Sequence, residues 1–409
     1  SIYGDGDQLD PNEDLELGLE WSLPNDPMYV GGDTFTFQLP EQLAIYSEIT
    51  GDLDDFGTFV VTTDGEVTFT FNDKINENSN VKGTFWVKTE LDKQKVTSST
   101  EELEFKINED VAKKITINIK PEGGQAIHKE GQPVGGTFNT DEIEWTVLIN
   151  TTKEALENAI VTDPIGDDQE LVLDSIELKE VEVNLAGEKI ADLGSVDLTN
   201  VDKSTVKELK LELVDTNKAY ELTFKTKMEE SEKDREGWLW YSNTVYLNSD
   251  GKEQKESGAG VSVQRPESLT KTSSEFDAED RSVEWTVNAN FTEKQLKSGD
   301  TITDEFNFTV GGENKNDVFT VIEDNIKIEQ VDSFDNNGNP TEKSDANHLF
   351  DINIEGNKVT YTLKEDTSSA FIIKYKTVAE DGAYINKNGE ISNKVEIDGK
   401  TADSSQGVH

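Results

Sequence analysis

One stretch of the chain is written twice, and this repeat limits the possible folds more than any other feature. Residues 144–163 read EWTVLINTTKEALENAIVTD, and residues 284–304 read EWTVNANFTEKQLKSGDTITD. In the second copy apolar and polar residues alternate, which is the two-residue period of a half-buried strand. The apolar positions are Val283, Trp285, Val287, Ala289 and Phe291, and the polar ones are Glu284, Thr286, Asn288 and Asn290. The repeat therefore predicts two β domains built on one plan.

Each copy places a carboxylate and an amide on the apolar side of a strand. Asp304 is in phase with Ile302 and Phe306, and Asp163 occupies the matching place in the first copy. Later in each copy the motif SNxV recurs, and Asn243 and Asn393 fall in phase with the apolar residues of their strands. A buried carboxylate is costly unless it has a partner. The pattern therefore predicts a paired polar cluster inside each domain.

A lysine precedes each copy and completes the cluster. Lys129 is in phase with Ile127, and Lys271 is in phase with Leu269. Lys129 lies 34 residues before the aspartate of its copy, and Lys271 lies 33 residues before the aspartate of the other. Lysine, aspartate and asparagine thus recur in one order at matching spacing.

This combination of side chains suits one covalent reaction. An apolar pocket lowers the pKa of an amine and raises that of a carboxyl, so a neutral lysine can attack the asparagine carbonyl while a protonated aspartate polarises it. The attack would expel ammonia and leave an isopeptide bond. The alternative is a buried Lys–Asp ion pair with an amide that satisfies the remaining hydrogen bonds. The repetition and the agreement in phase favour the covalent interpretation.

The order Lys, then EWTV, then a strand that ends in TD, then SNxV resembles the collagen-binding A-type domains of Gram-positive surface adhesins. The resemblance covers residues 121–264 and 265–400, while GGDTFTFQLPEQL at 31–43 and the segment 57–91 resemble the immunoglobulin-like domain that precedes them in such proteins. It implies two catalytic triads that form intramolecular isopeptide bonds: Lys129, Asp163 and Asn243, and Lys271, Asp304 and Asn393. More residues separate Lys129 from the tryptophan of its copy than separate Lys271 from the tryptophan of the other. Lys120 is therefore an alternative candidate for the lysine of the first triad.

Composition narrows the function further. The 38 Lys and Arg against 85 Asp and Glu give a formal charge of −47, which repels nucleic acid and anionic lipid. Without cysteine the chain has no disulfide or thiolate site, and its three histidines make a zinc site improbable. No apolar run is long enough to span a bilayer. We expect no cofactor, no metal and no membrane contact in this piece, whose leader and anchor we expect to lie outside it.

We predict an all-β chain of three tandem immunoglobulin-like β-sandwich domains, at residues 1–120, 121–264 and 265–409. Segments 151–159 and 292–299 favour short helical turns, and the polar, glycine-rich segment 248–260 is typical of a linker. The last residues, 399–409, are expected to fray. The acids and asparagines of VDSFDNNGNP, residues 331–340, are compatible with a calcium loop but are explained at least as well by a turn.

The resemblance implies an extracellular, cell-wall-anchored adhesin. Apart from forming its own cross-links, such a protein is not expected to be an enzyme. Its partner would be an extended matrix protein, collagen first and fibrinogen or fibronectin next, enclosed by domains one and two of a monomer. His128 could touch that ligand, although an incidental surface histidine is the commoner case. Residues 248–264 correspond to a segment that can latch over the ligand in the family. The competing hypothesis is a structural stalk with the same cross-links and no ligand. Binding assays against a panel of matrix proteins distinguish the adhesin hypothesis from the stalk hypothesis.

Overall fold

The structure is a computed structural model that describes residues 7–26, 29–380 and 388–408. The first part of the chain forms ten strands. They are β1 (Gln8–Leu9), β2 (Leu15–Ser22), β3 (Thr34–Gln38), β4 (Leu43–Ala44), β5 (Ile49–Asp52), β6 (Gly57–Val61), β7 (Glu66–Phe71), β8 (Lys82–Leu91), β9 (Thr100–Ile107) and β10 (Asp110–Ile119).

These strands form a sandwich of two sheets. One sheet has the order β1-β10-β9-β3-β7-β6-β5, and the other has the order β2-β8-β4. The turn at Asp64–Gly65 joins β6 to β7, and Gly65 has the positive φ of 81° that such a turn requires. Phenylalanines dominate the core; Phe59 and Phe85 meet edge to face with ring centroids 4.8 Å apart.

The middle part of the chain forms a second sandwich. Its strands are β11 (Ile127–Pro133), β12 (Glu142–Ile149), β13 (Ile160–Pro164), β14 (Gln169–Val183), β15 (Lys189–Ser195), β16 (Glu208–Glu212), β17 (Ala219–Met228), β18 (Gly237–Asn248) and β19 (Lys255–Arg265). One sheet has the order β11-β12-β17-β14-β15, and the facing sheet has the order β16-β13-β18-β19. Alternate residues of both sheets fill a core of their own around Trp145.

The last part of the chain forms a third sandwich. Its strands are β20 (Thr270–Ser273), β21 (Ser282–Ala289), β22 (Thr301–Val310), β23 (Glu313–Asn314), β24 (Phe319–Val321), β25 (Lys327–Phe334), β26 (Pro340–Asp345), β27 (Phe350–Glu355), β28 (Lys358–Leu363), β29 (Ala370–Ala379), β30 (Gly389–Ile397) and β31 (Lys400–Val408). The sheets have the orders β20-β21-β29-β25-β26 and β27-β28-β22-β30-β31, with β24 on β29 and β23 on β22.

The second and third sandwiches share one plan down to the register. Lys129 on β11 pairs with Val147 on β12, two residues after Trp145, and Lys271 on β20 pairs with Val287, two residues after its tryptophan. The aspartate strands β13 and β22 each lie between two neighbours, one of which carries the asparagine. The architecture is therefore all-β with three tandem sandwiches, as predicted.

Two predicted helical turns are wrong. Residues 151–159 and 292–299 contain turns and isolated bridges, and no helix. Asn150 begins the first of these loops with φ 58°, and its side-chain Nδ2 donates to the main-chain oxygens of Glu154 and Lys218. Asn290 does the same in the third sandwich, donating to Lys294 and Ser369. An asparagine that satisfies the main chain in this way replaces the hydrogen bonds of a helical turn.

Two segments predicted to be irregular are strands. The predicted linker 248–260 runs into β19, which pairs with β18 along its whole length, so residues 255–264 lie within the second sandwich rather than over another domain. The predicted frayed end 399–409 carries β31, which pairs with β30 in the same manner. Pairing with the preceding strand overrides the polar composition of both segments, which by itself indicated irregular structure.

Short 3₁₀ helices connect several strands. They span Asp73–Glu77, Glu230–Asp234, Asn316–Val318, Glu323–Asn325 and Asn347–Leu349. Over the described ranges, the chain has no helix with the length and apolar character that crossing a membrane would need.

Hydrogen bonds and ion pairs join the sandwiches end to end. Between the first and second, Ser99 N donates to Val183 O at 2.8 Å, and Glu122 N donates to Leu185 O at 2.7 Å. At the end of β19, Arg265 is 1% exposed and donates to Thr140 O within the second sandwich. Contacts between the second and third sandwiches are Asn139 Nδ2 with Phe291 O, Lys233 Nζ with Glu293 O, and Lys294 Nζ with Asp234 Oδ1.

Candidate functional site

The middle sandwich buries Lys129, Asp163 and Asn243 together between its sheets. Lys129 comes from β11 of one sheet, whereas Asp163 on β13 and Asn243 on β18 come from the facing sheet. Their exposed fractions are 3%, 0% and 8%. Strand alternation produces this arrangement, because every second residue of each strand points into the core.

Lys129 contacts both of its predicted partners directly. Its Nζ hydrogen-bonds to Asp163 Oδ2 and to Asn243 Oδ1. Among the described residues, Asp163 Oδ1 and Asn243 Nδ2 have no hydrogen-bond partner. A fully satisfied ion pair would leave no buried polar atom unpartnered, since each such atom costs about 1–3 kcal/mol. The amide nitrogen that lacks a partner is the atom that would leave as ammonia.

Burial brings the pKa values of Lys129 and Asp163 closer together. It lowers the pKa of Lys129 from 10.5 to about 8, against the attraction of Asp163, and raises the pKa of Asp163 from 3.8 to about 6, against the attraction of Lys129. The two pKa values therefore lie closer together than those of the same groups in water. Moving the proton from lysine to aspartate, which gives a neutral amine and a protonated carboxyl, is correspondingly easier than in water.

Aromatic rings enclose the lysine. Lys129 Nζ lies 4.6 Å from the ring centroid of Trp145 and 5.2 Å from that of Phe224. Trp145 is fully buried, and its Nε1 donates to Thr226 Oγ1 at 2.9 Å. The rings keep water from the amine, and this desolvation is the cause of its lowered pKa.

The third sandwich brings its lysine and aspartate together in the same way. Lys271 Nζ lies 2.7 Å from Asp304 Oδ1 and 2.9 Å from Oδ2, and both side chains are inaccessible to solvent. Burial lowers the pKa of Lys271 and raises that of Asp304, while the attraction between them opposes both shifts. The ring of Trp285 lies 5.4 Å from the amine.

Asn393 is buried in the same core but has a different partner. Its Nδ2 donates to the hydroxyl of Tyr375, and its Oδ1 has no hydrogen-bond partner in the described part of the chain. Tyr375 therefore stands between the asparagine and the Lys271–Asp304 pair. Sequence reasoning missed this tyrosine. Aligning the two copies would have revealed it, because Tyr375 pairs with Trp285 where Phe224 pairs with Trp145.

The other sequence candidates lie elsewhere. Lys120 is on the surface and forms an ion pair with Glu154 at 3.1 Å, so Lys129 rather than Lys120 contacts Asp163. His128 is on the outer face of β11, as strand alternation predicts, next to Glu130. The carboxylate of Asp335 accepts hydrogen bonds from the main-chain nitrogens of residues 337 and 339, which is the geometry of a turn.

The fold and the buried clusters define a class of protein: tandem β-sandwiches, two of which enclose a lysine, a carboxyl and an amide. Two parts of the chain match known families. Residues 124–257 match the collagen binding domain family, and residues 8–101 match the bacterial Ig domain family. These matches confirm the resemblance for the first two domains: the chain contains a bacterial Ig domain followed by a collagen binding domain.

Individual proteins resemble the chain more distantly. The wall-associated protein of Streptococcus mutans is 30% identical over 190 residues, which are 44% of this chain and 41% of that protein. The chain thus spans about two fifths of the length of this relative.

Solved structures also align with the chain. The ligand-binding MSCRAMM ACE of Enterococcus faecalis aligns at 19% identity over 64% of this chain and 93% of its own, with a TM-score of 0.26. The collagen adhesin CNA of S. aureus aligns at 17% identity over 63% and 90%, with a TM-score of 0.25. The collagen binding domain of RspB from Erysipelothrix rhusiopathiae aligns at 19% identity over 64% and 94%, with a TM-score of 0.23.

Proposed function

We propose that the chain is the ligand-binding region of a cell-wall-anchored surface adhesin that holds collagen, or another extended matrix protein, between its first and second domains. The domains are those predicted at residues 1–120, 121–264 and 265–409. The observation that carries the proposal is the match of residues 124–257 to the collagen binding domain family. The name of the wall-associated relative supports a location at the cell wall.

A groove beside the first joint is the proposed point of contact. Its lining includes His128 and Leu148 on the outer face of β11 and β12, and Ala186 and Gly187 in the turn after β14. Gly187 packs against the linker so closely that a Cβ on it would lie 2.3 Å from the Cα of Gly124. The groove thus borders the segment that links the two domains, where an enclosed ligand has to pass.

The polar bonds that join the first and second domains are individually weak, so a ligand that enters the joint can displace them. The joint includes main-chain bonds from Ser99 and Glu122, and a bond from Lys153 Nζ to Ser99 Oγ at 3.1 Å. Each such bond contributes only about 0.5–1.5 kcal/mol net.

Binding to immobilised triple-helical collagen, fibrinogen and fibronectin tests the proposal. We expect the full chain to bind collagen and His128→Trp, which fills the groove with an indole, to weaken binding at least about tenfold. The matched control is Ser262→Trp, at an exposed, outward-facing position of β19 in the other sheet. The control should bind like the unsubstituted chain.

Two results would change the assignment. Equal losses from both tryptophan variants would place the ligand away from the groove. Failure of the chain to bind any matrix protein would favour a structural stalk, in which the same internal bonds resist force and no ligand is held.

We further propose that each of the two triads closes an isopeptide bond without help from another protein. The neutral lysine amine attacks the asparagine Cγ, and the protonated aspartate donates to Oδ1 as charge develops there. The Cγ–Nδ2 bond then breaks, a lysine proton passes to the leaving nitrogen, and ammonia departs. The short contact of Lys129 with Asn243, and the desolvation of both ionisable groups, support this reaction in the middle domain.

Intact mass tests the bonds directly. The purified chain should be lighter than its sequence by two molecules of ammonia, and peptide mapping should join Lys129 to Asn243 and Lys271 to Asn393. A chain of full mass would refute self-cross-linking and leave two buried ion pairs.

A further inference from the structure

The two triads differ in the residues that surround them, although their strands share one register. Tyr375 takes the place of Phe224 opposite the core tryptophan. Tyr361 takes the place of Leu211 opposite the residue two before the aspartate. The third domain therefore has two buried hydroxyls where the middle domain has only hydrocarbon.

The two hydroxyls are not equivalent. Tyr375 accepts a hydrogen bond from Asn393 Nδ2, its ring centroid lies 5.4 Å from Lys271 Nζ, and its hydroxyl lies close enough to the carboxyl of Asp304 to lower the pKa of that group. The hydroxyl of Tyr361 has no hydrogen-bond partner among the described residues, although the residue is 0% exposed. Only Tyr375 links the acid of the triad to the nitrogen that would leave.

Before any reaction, the hydrogen bonds of the triad asparagine also differ between the two domains. In the middle domain the amine already contacts the amide oxygen of Asn243, and the amide nitrogen is unpartnered. In the third domain the amide nitrogen is held and the oxygen is unpartnered. A held nitrogen leaves the Asn393 oxygen available for the proton of Asp304.

We propose that Tyr375 is a further catalytic residue of the third domain, which carries a proton from Asp304 to the departing amide nitrogen of Asn393. The inference rests on the proposed self-cross-linking. After Lys271 attacks Cγ, the nitrogen of the intermediate becomes an amine that can accept a proton. Lys271 gives one proton to Asp304, Asp304 gives one to the Tyr375 oxygen, and Tyr375 gives its own to Nδ2.

The transfer balances without any co-reactant. The Nζ–Cγ bond forms and the Cγ–Nδ2 bond breaks, its electron pair stays on nitrogen, and ammonia leaves. Tyr375 and Asp304 end in the protonation states in which they began. Burial and the nearby Asp304 charge raise the pKa of Tyr375 well above its usual value, so the phenol enters the reaction with its proton.

The middle domain performs the same reaction without such a relay. Phe224 cannot carry a proton, so the proton from Lys129 has to reach Asn243 through Asp163 alone. The contact between Lys129 Nζ and Asn243 Oδ1 makes that route short. The tyrosine is thus specific to the domain in which the asparagine is held away from the lysine.

The test is the rate of ammonia loss in newly made protein. The full chain is synthesised in a cell-free system, translation is stopped, and digests taken over time are analysed for the Lys271–Asn393 and Lys129–Asn243 cross-linked peptides. Tyr375→Phe should slow the first bond about 100-fold, which lies within the usual range for a positioned proton donor. The second bond forms in the same molecules and serves as the internal clock.

Tyr361→Phe is the matched control, because it also removes one buried tyrosine hydroxyl from the same core. It should leave both rates unchanged. Hydrogen exchange of the β21 and β29 amides before cross-linking shows whether each variant is folded. A fold defect would slow both tyrosine variants and change exchange, whereas loss of the relay slows only Tyr375→Phe with exchange unchanged.

Several results would overturn the inference. Equal rates for Tyr375→Phe and the unsubstituted chain would show that the hydroxyl carries no proton. A faster reaction in Tyr375→Phe would show that the tyrosine withholds Asn393 from Lys271. If the unsubstituted chain forms neither bond, self-cross-linking itself fails, and this outcome is distinct from a rate that is insensitive to Tyr375.

Discussion

Replacing the whole middle triad by apolar side chains separates a covalent bond from an ion pair. The variant is Lys129→Met, Asp163→Val and Asn243→Val, which keeps side-chain volumes close to those of the triad. If the triad is a buried ion pair, its apolar replacement is expected to be neutral or stabilising by about 1–4 kcal/mol. If the triad forms a bond, the replacement removes a cross-link.

The structure sets the size of the second effect. Lys129 and Asn243 are 114 residues apart in sequence, so a bond between them closes a loop of that length in the unfolded chain. The loop-entropy relation used for disulfides gives about 5 kcal/mol for such a loop. For a domain of this size each kcal/mol corresponds to a few degrees of melting temperature, so we expect a decrease of about 15–20 °C. The two interpretations therefore differ in sign.

Hydrogen exchange measures the effect in the middle domain alone. The free energy of opening is determined for the amides of β12 and β17, and those of β21 and β29 in the same molecules serve as the reference. Intact mass establishes that the variant retains one ammonia more than the unsubstituted chain, after correction for the substituted atoms. A triple variant whose middle domain is as stable as the original, or more stable, would refute the reasoning.

Two further predictions follow from the same clusters. Asp304→Ala should restore the mass of one ammonia and leave the Lys129–Asn243 peptide intact; loss of both cross-links would show that the domains do not react independently. In Lys129→Met, which cannot cross-link, burial should hold the pKa of Asp163 at about 6 or above, compared with 3.8 for the ordinary group. The protonated Asp163 then stabilises the fold below pH 3.8, and this contribution is lost as the pH rises through 6. The unfolding free energy of Lys129→Met, measured relative to the double variant Lys129→Met with Asp163→Asn, should therefore fall by about 3 kcal/mol or more over this range. A flat difference between pH 3.5 and 7 in chemical denaturation would contradict this sign.

The burial of the triad residues could be predicted because strand alternation is strict. A side chain in phase with apolar neighbours on both sides points into the core whatever its chemistry, and this reasoning placed Asp163 and Asn393 inside. It also selected Lys129 by its phase with Ile127, whereas Lys120 lies on the surface. The repeat then allowed the triad residues of the third domain to be predicted by analogy with those of the second.

Contacts between distant strands could not be predicted in this way. Alternation shows which face Tyr375 occupies, but its neighbours depend on the order of β21, β29 and β25 in the sheet, which the sequence of one domain does not reveal. The loops after Asn150 and Asn290 were misread for a related reason. Asn150 bonds to a residue 68 positions away, and Asn290 bonds to a residue 79 positions away. A local helical pattern contains no sign of those partners.

The position of the proposed bonds explains why one lysine and one asparagine suffice in each sandwich. Lys129 lies on the first strand of the middle domain, and Asn243 lies on β18, the strand before its last. A pulling force therefore enters at β11, crosses the bond to β18 and leaves through β19, so residues 130–242 carry none of it. Fully extended, 114 residues would span roughly 400 Å, and a bond at this position withholds that length from the force. Because Lys271 on β20 and Asn393 on β30 occupy the matching strands, the same reasoning applies to the third domain. With the proposed bonds in place, resistance to force would follow from where the triads lie in the topology and would not depend on any ligand.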